Sequence, residues 1–133
     1  MSLFKRLFGI CETRPPARPG CWRYTDGRLE IALDEAPELA QKGGAIRLEG
    51  PSLRKRVLVV HGLDGEFHAF HNRCTHIGHR RIDPLPGEDK IRCCSMGKST
   101  FDYSGKRVAG PAPESIEALA LESDGDKLII TLA

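Results

Sequence analysis

From Trp22 onward the apolar residues fall into short runs, each closed by a glycine, a proline or an Asp-Gly pair before a long helix can develop. This punctuation limits the fold more than any single residue does, because short β-prone runs between turn signals read as strands. In "GRLEIAL", Leu29, Ile31 and Leu33 alternate with Arg28 and Glu30, a half-buried strand after the Asp26-Gly27 turn. "AIRLEG" and "RVLVVHG" are strands, and the second turns through Leu63-Asp64-Gly65 into "EFHAFHN", a hairpin signal. Phe67 and Phe70 fall on opposite faces of that last run by the two-residue period and read as packing. "STFDYSGKRVAG", "IEALALES" and "KLIITLA" continue the series, and only "DEAPELAQKGG" reads as a short helical turn, capped by Asp34 and ended by Gly43-Gly44. The pattern predicts an all-β sandwich or barrel. No glycine-rich phosphate loop and no helix-strand alternation are present, which argues against a doubly wound nucleotide-binding fold.

A chain of 133 residues favours one compact domain. We place it at residues 22–133, with residues 1–21 as an N-terminal amphipathic segment and a Pro-rich linker. In "MSLFKRLFGI" the apolar residues stand near helical spacing opposite Lys5 and Arg6, a pattern for a terminal helix or a weak membrane-surface contact through residues 1–10. "ETRPPARPG" lacks apolar periodicity and reads as extended. No apolar run approaches the roughly 20 residues that a bilayer-crossing helix needs. A net charge of +2 is too nearly balanced for sequence-independent attraction to nucleic acid. Arg54-Lys55-Arg56 and Arg80-Arg81 read as solvated loop charges, the second pair also being placed to steer an acidic redox partner. Five cysteines, an odd number, with no secretory signal, point to reduced thiols and a cytoplasmic location. On that reading Cys11 and Cys21 are unpaired thiols of no special role, and Cys74, Cys93 and Cys94 are ligand candidates.

The chemistry concentrates in residues 72–113. Cys74-Thr75-His76 sets a thiol and an imidazole two residues apart, so that both can point to one side of a tight loop. A second thiol-bearing loop follows at Cys93-Cys94-Ser95-Met96, and "DPLPGED" between them reverses the chain. "CTHIG", "IRCCSMG" and "FDYSGKRVAGPAP" together resemble the Rieske iron-sulfur domain family. "ALDEAPEL", "GGAIRLE" and "DGEFHAFHNRCTH" are similar to the Rieske-type ferredoxins in strand order, and the resemblance covers residues 22–133. It implies an antiparallel β-sandwich with a small two-loop cluster-binding lobe, each loop giving one Cys and one His to a [2Fe-2S] cluster. It also implies a small soluble electron carrier, or oxidoreductase subunit without a catalytic site of its own, whose redox partner is an oxygenase, a reductase or a similar protein.

The second loop departs from the family pattern. Met96 stands in the histidine's place, and one extra residue precedes Phe101-Asp102. Taking Cys94 as the ligand removes the insertion but puts Gly97 at the histidine position. The cofactor-binding set read from the sequence is Cys74, His76, Cys93 and Cys94, with Met96 or His79 as other sources of a fourth donor. A cluster-less or zinc-stapled interaction subunit is the alternative, since Cys74, His76, His79, Cys93 and Cys94 exceed the four N/S donors a structural zinc takes. Ser95 stands where the respiratory members carry a bracing cysteine, so the resemblance implies no loop-to-loop disulfide here. Ser99 and Tyr103 lie near the family's hydrogen-bond donors to cluster sulfur and ligand cysteine. His61, His68 and His71 read as packed or surface residues.

Overall fold

The computed structural model describes residues 11–73, 81–94, 99–110 and 115–132, and the following concerns those residues. The chain forms eleven strands: β1 (Trp22–Thr25), β2 (Arg28–Ala32), β3 (Ala45–Leu48), β4 (Val57–His61), β5 (Phe67–His71), β6 (Ile82–Pro84), β7 (Lys90–Cys93), β8 (Thr100–Asp102), β9 (Arg107–Ala109), β10 (Ala118–Asp124) and β11 (Lys127–Thr131). Every pairing is antiparallel. A seven-stranded sheet runs β1-β2-β11-β10-β5-β4-β3, and a four-stranded sheet runs β6-β7-β8-β9. The second sheet is the base of the lobe expected to carry the two loops.

Turn chemistry fixes the registers. Asp26 and Gly27 both adopt positive φ, 48° and 81°, as a two-residue hairpin between right-twisted strands requires. The result pairs Thr25 with Arg28 and brings Leu29 and Ile31 to the same buried face. The expected helical turn appears as two 3-10 turns, Leu33–Glu35 and Pro37–Leu39, so Leu33 leaves the strand rather than extending it. Pro37 restarts the chain there, because it has no N–H with which to continue a helix.

Two apolar clusters result. One, around Leu29, Ile31, Leu39, Ile46, Leu48, Val57, Val59, Leu128 and Ile130, fills the large sheet. The other joins Leu58, Val60 and Phe70 of the large sheet to Ile82, Ile91, Cys93 and Phe101 of the small one. Strand β4 serves both by pleat alternation, with Val57 and Val59 on one face and Leu58 and Val60 on the other. Phe67 and Phe70 divide in the same way, as their spacing predicts. Burial of a large apolar side chain contributes roughly 1.5–3 kcal/mol, so the second cluster is what holds the lobe on the sandwich.

The Pro-rich stretch read as a linker lies against the domain. Arg47 N donates to Arg14 O on the open edge of β3, and Ala17 N donates to Glu38 Oε2 at 2.7 Å. An exposed sheet edge presents unpaired backbone groups that an extended segment can satisfy. Proline favours that extended conformation without supplying apolar periodicity, which is why the contact is invisible to pattern reading. The expected helix within residues 1–10 falls outside the described residues.

Candidate metal centre

The stems of both expected loops are stitched together at the end of the small sheet. Asn72, 1% exposed, closes the first loop at its base, its Oδ1 accepting from Ile82 N at 2.8 Å across the excursion. Arg56 reinforces the same point, its Nε donating to Asn72 O while Asn72 N donates to Arg56 O. Ile82 lies opposite Cys93 in the β6–β7 ladder, and Cys94 N donates to Arg81 O at 3.0 Å. The residue that leaves the first loop is therefore paired with the cysteine that enters the second. Cys93 N donates to Ser99 O at 2.7 Å, which closes the second loop in turn. Ser99 is fully buried, and Gly110, at φ 92°, packs so closely on its backbone that a Cβ would collide with Ser99 Cα. That contact is the physical reason for a glycine after "RVA".

Of the donors read from the sequence, Cys93 is 3% exposed and forms no disulfide. Cys74, His76, His79 and Met96, with Ser95 and Gly97, lie outside the described residues. Cys94 departs from expectation: its sulfur is bonded to Cys11, across 83 positions of sequence. A sulfur in a disulfide has no thiolate to offer a metal, so in this state Cys94 does not complete a ligand set with Cys93. Cys11 is likewise not the unpaired thiol expected. The inference of a reducing compartment from unpaired cysteines loses its premise. The pairing was hidden because odd-number arithmetic says nothing about which two cysteines meet, and because the segment carrying Cys11 read as a detached linker. Cys21 is a thiol in the main core, its pKa raised by burial and then by Glu38.

The docking of Cys11 depends on Asp83, a residue that pattern reading passed over. Asp83 is 6% exposed, and its carboxylate accepts from Glu12 N at 2.6 Å and Thr13 N at 3.0 Å. A buried acidic residue in a strand next to a turn was the available signal, since such a group demands donors. Outside the lobe stem, Arg81 makes a two-pronged contact with Glu49 at 2.6 and 2.8 Å. That hydrogen bond lowers the Glu49 pKa and raises that of Arg81.

The histidines on strands, expected to be packed or at the surface, are each partly buried and each has a polar partner. His61 Nδ1 donates to Leu39 O, His68 Nε2 bonds Asp64, and His71 lies by Glu117, its pKa lowered by burial and then by Lys55. Tyr103 stacks on His68 with ring centroids 4.3 Å apart, and its hydroxyl accepts from Leu63 N. A cleft of about 490 Å³ lies beside Cys93, with Glu12, Asp83, Leu85, Arg92 and Tyr103 among its walls.

The residues suit a [2Fe-2S] cluster in part. A buried thiol at Cys93, kept out of the disulfide, suits a thiolate ligand. Asn72 Nδ2 is buried with no hydrogen-bond partner among the described residues, a donor in reserve at the base of the first loop. The two sequence positions left for an imidazole hold only one, at His76.

The Rieske [2Fe-2S] domain family model matches residues 32–120. The chain is 37% identical over 59 residues to the cytochrome b6-f complex iron-sulfur subunit 1 of Nostoc sp., a match covering 44% of this chain and 31% of that protein. The chain thus spans under a third of the length of that relative. It is 26% identical over 104 residues to the ferredoxin component of the naphthalene 1,2-dioxygenase system of Pseudomonas aeruginosa, covering 77% of this chain and 92% of that one. Among solved structures, the ferredoxin of carbazole 1,9a-dioxygenase from Nocardioides aromaticivorans superposes with a TM-score of 0.61 at 20% identity, over 77% of this chain and 94% of that one.

Proposed function

Because the chain belongs to the Rieske [2Fe-2S] domain family, which binds a [2Fe-2S] cluster, we propose that it is an electron-transfer protein or subunit whose cluster is held by Cys74, His76 and Cys93. The observation that carries the proposal is the stem geometry. Asn72, two positions before Cys74, bonds Ile82, and Ile82 pairs with Cys93. The bases of the two donor-bearing loops are thus joined through one residue.

The cluster, when bound, supplies a one-electron redox centre. This chain's residues do the rest. Cys74 and Cys93 would furnish the two thiolates and His76 an imidazole. Asn72 and Ser99 hold the loop stems, and the Phe101 and Ile91 packing keeps the stems rigid and dry. A catalytic group of the chain's own has no place in this reading. Its partner is a redox protein such as an oxygenase or reductase component. Among the described residues no helix is long and apolar enough to cross a membrane.

With Cys94 committed to Cys11, the fourth position falls to Met96 or His79. If Met96 takes it, His76 is the one imidazole whose ionisation shifts the potential with pH. A specific observation favours a second reading, a cluster-less or zinc-stapled interaction subunit: the disulfide withdraws one candidate thiolate. Iron and acid-labile sulfide analysis of anaerobically purified protein separates the two. Equal iron and sulfide with dithionite-bleachable colour support the carrier, and a colourless chain holding zinc or no metal supports the subunit.

A further inference from the structure

The donor atoms of Cys11, Asp83 and Cys94 all lie within 4.8 Å of one another. Asp83 and Cys94 are buried, and Cys11 is half-buried. We propose that when the Cys11–Cys94 bond is reduced, these three residues form a site for a soft divalent cation such as zinc, distinct from the one proposed for the two loops.

Three observations support it. First, the donors come from three separately anchored pieces of chain: the N-terminal segment, β6 and the residue after β7. The anchors do not involve sulfur. Glu12 N and Thr13 N bond the Asp83 carboxylate, Arg47 N bonds Arg14 O, and Cys94 N bonds Arg81 O. Breaking the disulfide leaves these contacts intact, so the dithiol stays gathered. Second, each Asp83 oxygen accepts one of those N–H groups, and a carboxylate has about four lone-pair sites, so lone pairs remain for a metal. Two thiolates and one carboxylate are ligands that zinc accepts, and a water completes the tetrahedron. Of the three donors, the neighbouring cleft reaches Asp83, with Glu12 and Thr13 beside it in the wall. Third, the site is separate from Cys93. Cys93 ends β7 and packs with Ile82 and Phe101 in the second cluster, while Cys94, just past the strand, bonds the N-terminal segment. Two thiolates, a carboxylate and a dication leave one negative charge, and Arg92 stands opposite Asp83 in the β6–β7 ladder.

The electron and proton balance is simple. A dithiol or phosphine reductant gives two electrons to the disulfide and is itself oxidised, yielding two protein thiols. These lose two protons as the cation binds. An oxidant such as hydrogen peroxide takes the two electrons back from the thiolates, reforms the S–S bond and releases the cation.

Zinc uptake by the full chain, measured anaerobically against a chromophoric chelator before and after phosphine reduction, tests this. We expect one additional equivalent after reduction, at least tenfold weaker in Asp83→Asn and missing in Cys11→Ser. Cobalt in place of zinc should give thiolate-to-metal charge-transfer absorption in the reduced protein only. No increment on reduction, or one that survives in Cys11→Ser, overturns the proposal. The oxidised wild-type chain is a control that needs no substitution. Iron and sulfide content of the same samples reports on Cys74, His76 and Cys93, so failure of the loop site is read apart from failure of this one.

Discussion

Replacing Cys11 by serine removes a cross-link without touching the core. The two cysteines are 83 positions apart, and confining a loop of that length in the unfolded chain corresponds to about 4.5 kcal/mol at 25 °C on the chain-entropy account. Unfolding entropy of about 2.1 cal/mol/K per residue, over 133 residues, converts this to a fall in Tm of up to roughly 16 °C. The real fall is expected nearer 10 °C, because a compact unfolded state and native strain reduce the purely entropic value. Thermal unfolding followed by circular dichroism, in EDTA so that no zinc intervenes, provides the assay. Wild-type protein opened by a phosphine should lose the same increment, and Cys11→Ser should not respond to the phosphine. Two results would refute the reasoning: a Cys11→Ser chain melting within about 2 °C of wild type, or a wild-type Tm indifferent to reductant after thiol titration shows two new thiols.

Phe101→Ala should cost about 3–5 kcal/mol in urea unfolding, since Phe101 is fully buried between the small sheet and the sandwich. Asn72→Ala leaves the buried Ile82 N–H without its acceptor, a loss of about 1–3 kcal/mol, and should lower iron retention along with stability. Arg81 holds the Glu49 pKa below its ordinary value of 4.5, by hydrogen bonding first and charge second. Glu49 therefore contributes stability that is present above that value and lost as pH falls through the lowered one. Wild-type Tm should fall more steeply than that of Glu49→Gln on acidification through this range, and parallel curves would contradict it. If His76 is the one imidazole on the cluster, voltammetry should show one ionisation of the oxidised form, and two would reject that ligand set.

The strands were legible because they obey local rules: Leu29 and Ile31 alternate with charged neighbours, and Asp26-Gly27 is a turn that few other pairs can make. The division of Phe67 from Phe70 followed from the same two-residue period. What escaped was non-local. Asp83 marks no pattern along the chain, yet it fixes residues 12 and 13 and brings Cys11 to Cys94. Leu33 reads as the next inward position of β2 and does pack on the main core, but the backbone enters a 3-10 turn at Leu33 itself rather than continuing the strand. In the candidate site, Cys93 reads from the sequence as a candidate donor, and the structure buries it and keeps it out of the disulfide. The withdrawal of Cys94 did not, because a vicinal pair of thiols looks alike until a third chain segment meets one of them.

Iron and sulfide bound per chain in anaerobically purified wild type and Cys93→Ala test the central claim most directly. Two irons and two sulfides in the wild type, with both lost and the fold retained in Cys93→Ala, are predicted. A wild type free of iron under anaerobic reconstitution, or a Cys93→Ala chain that keeps its full complement, would contradict it.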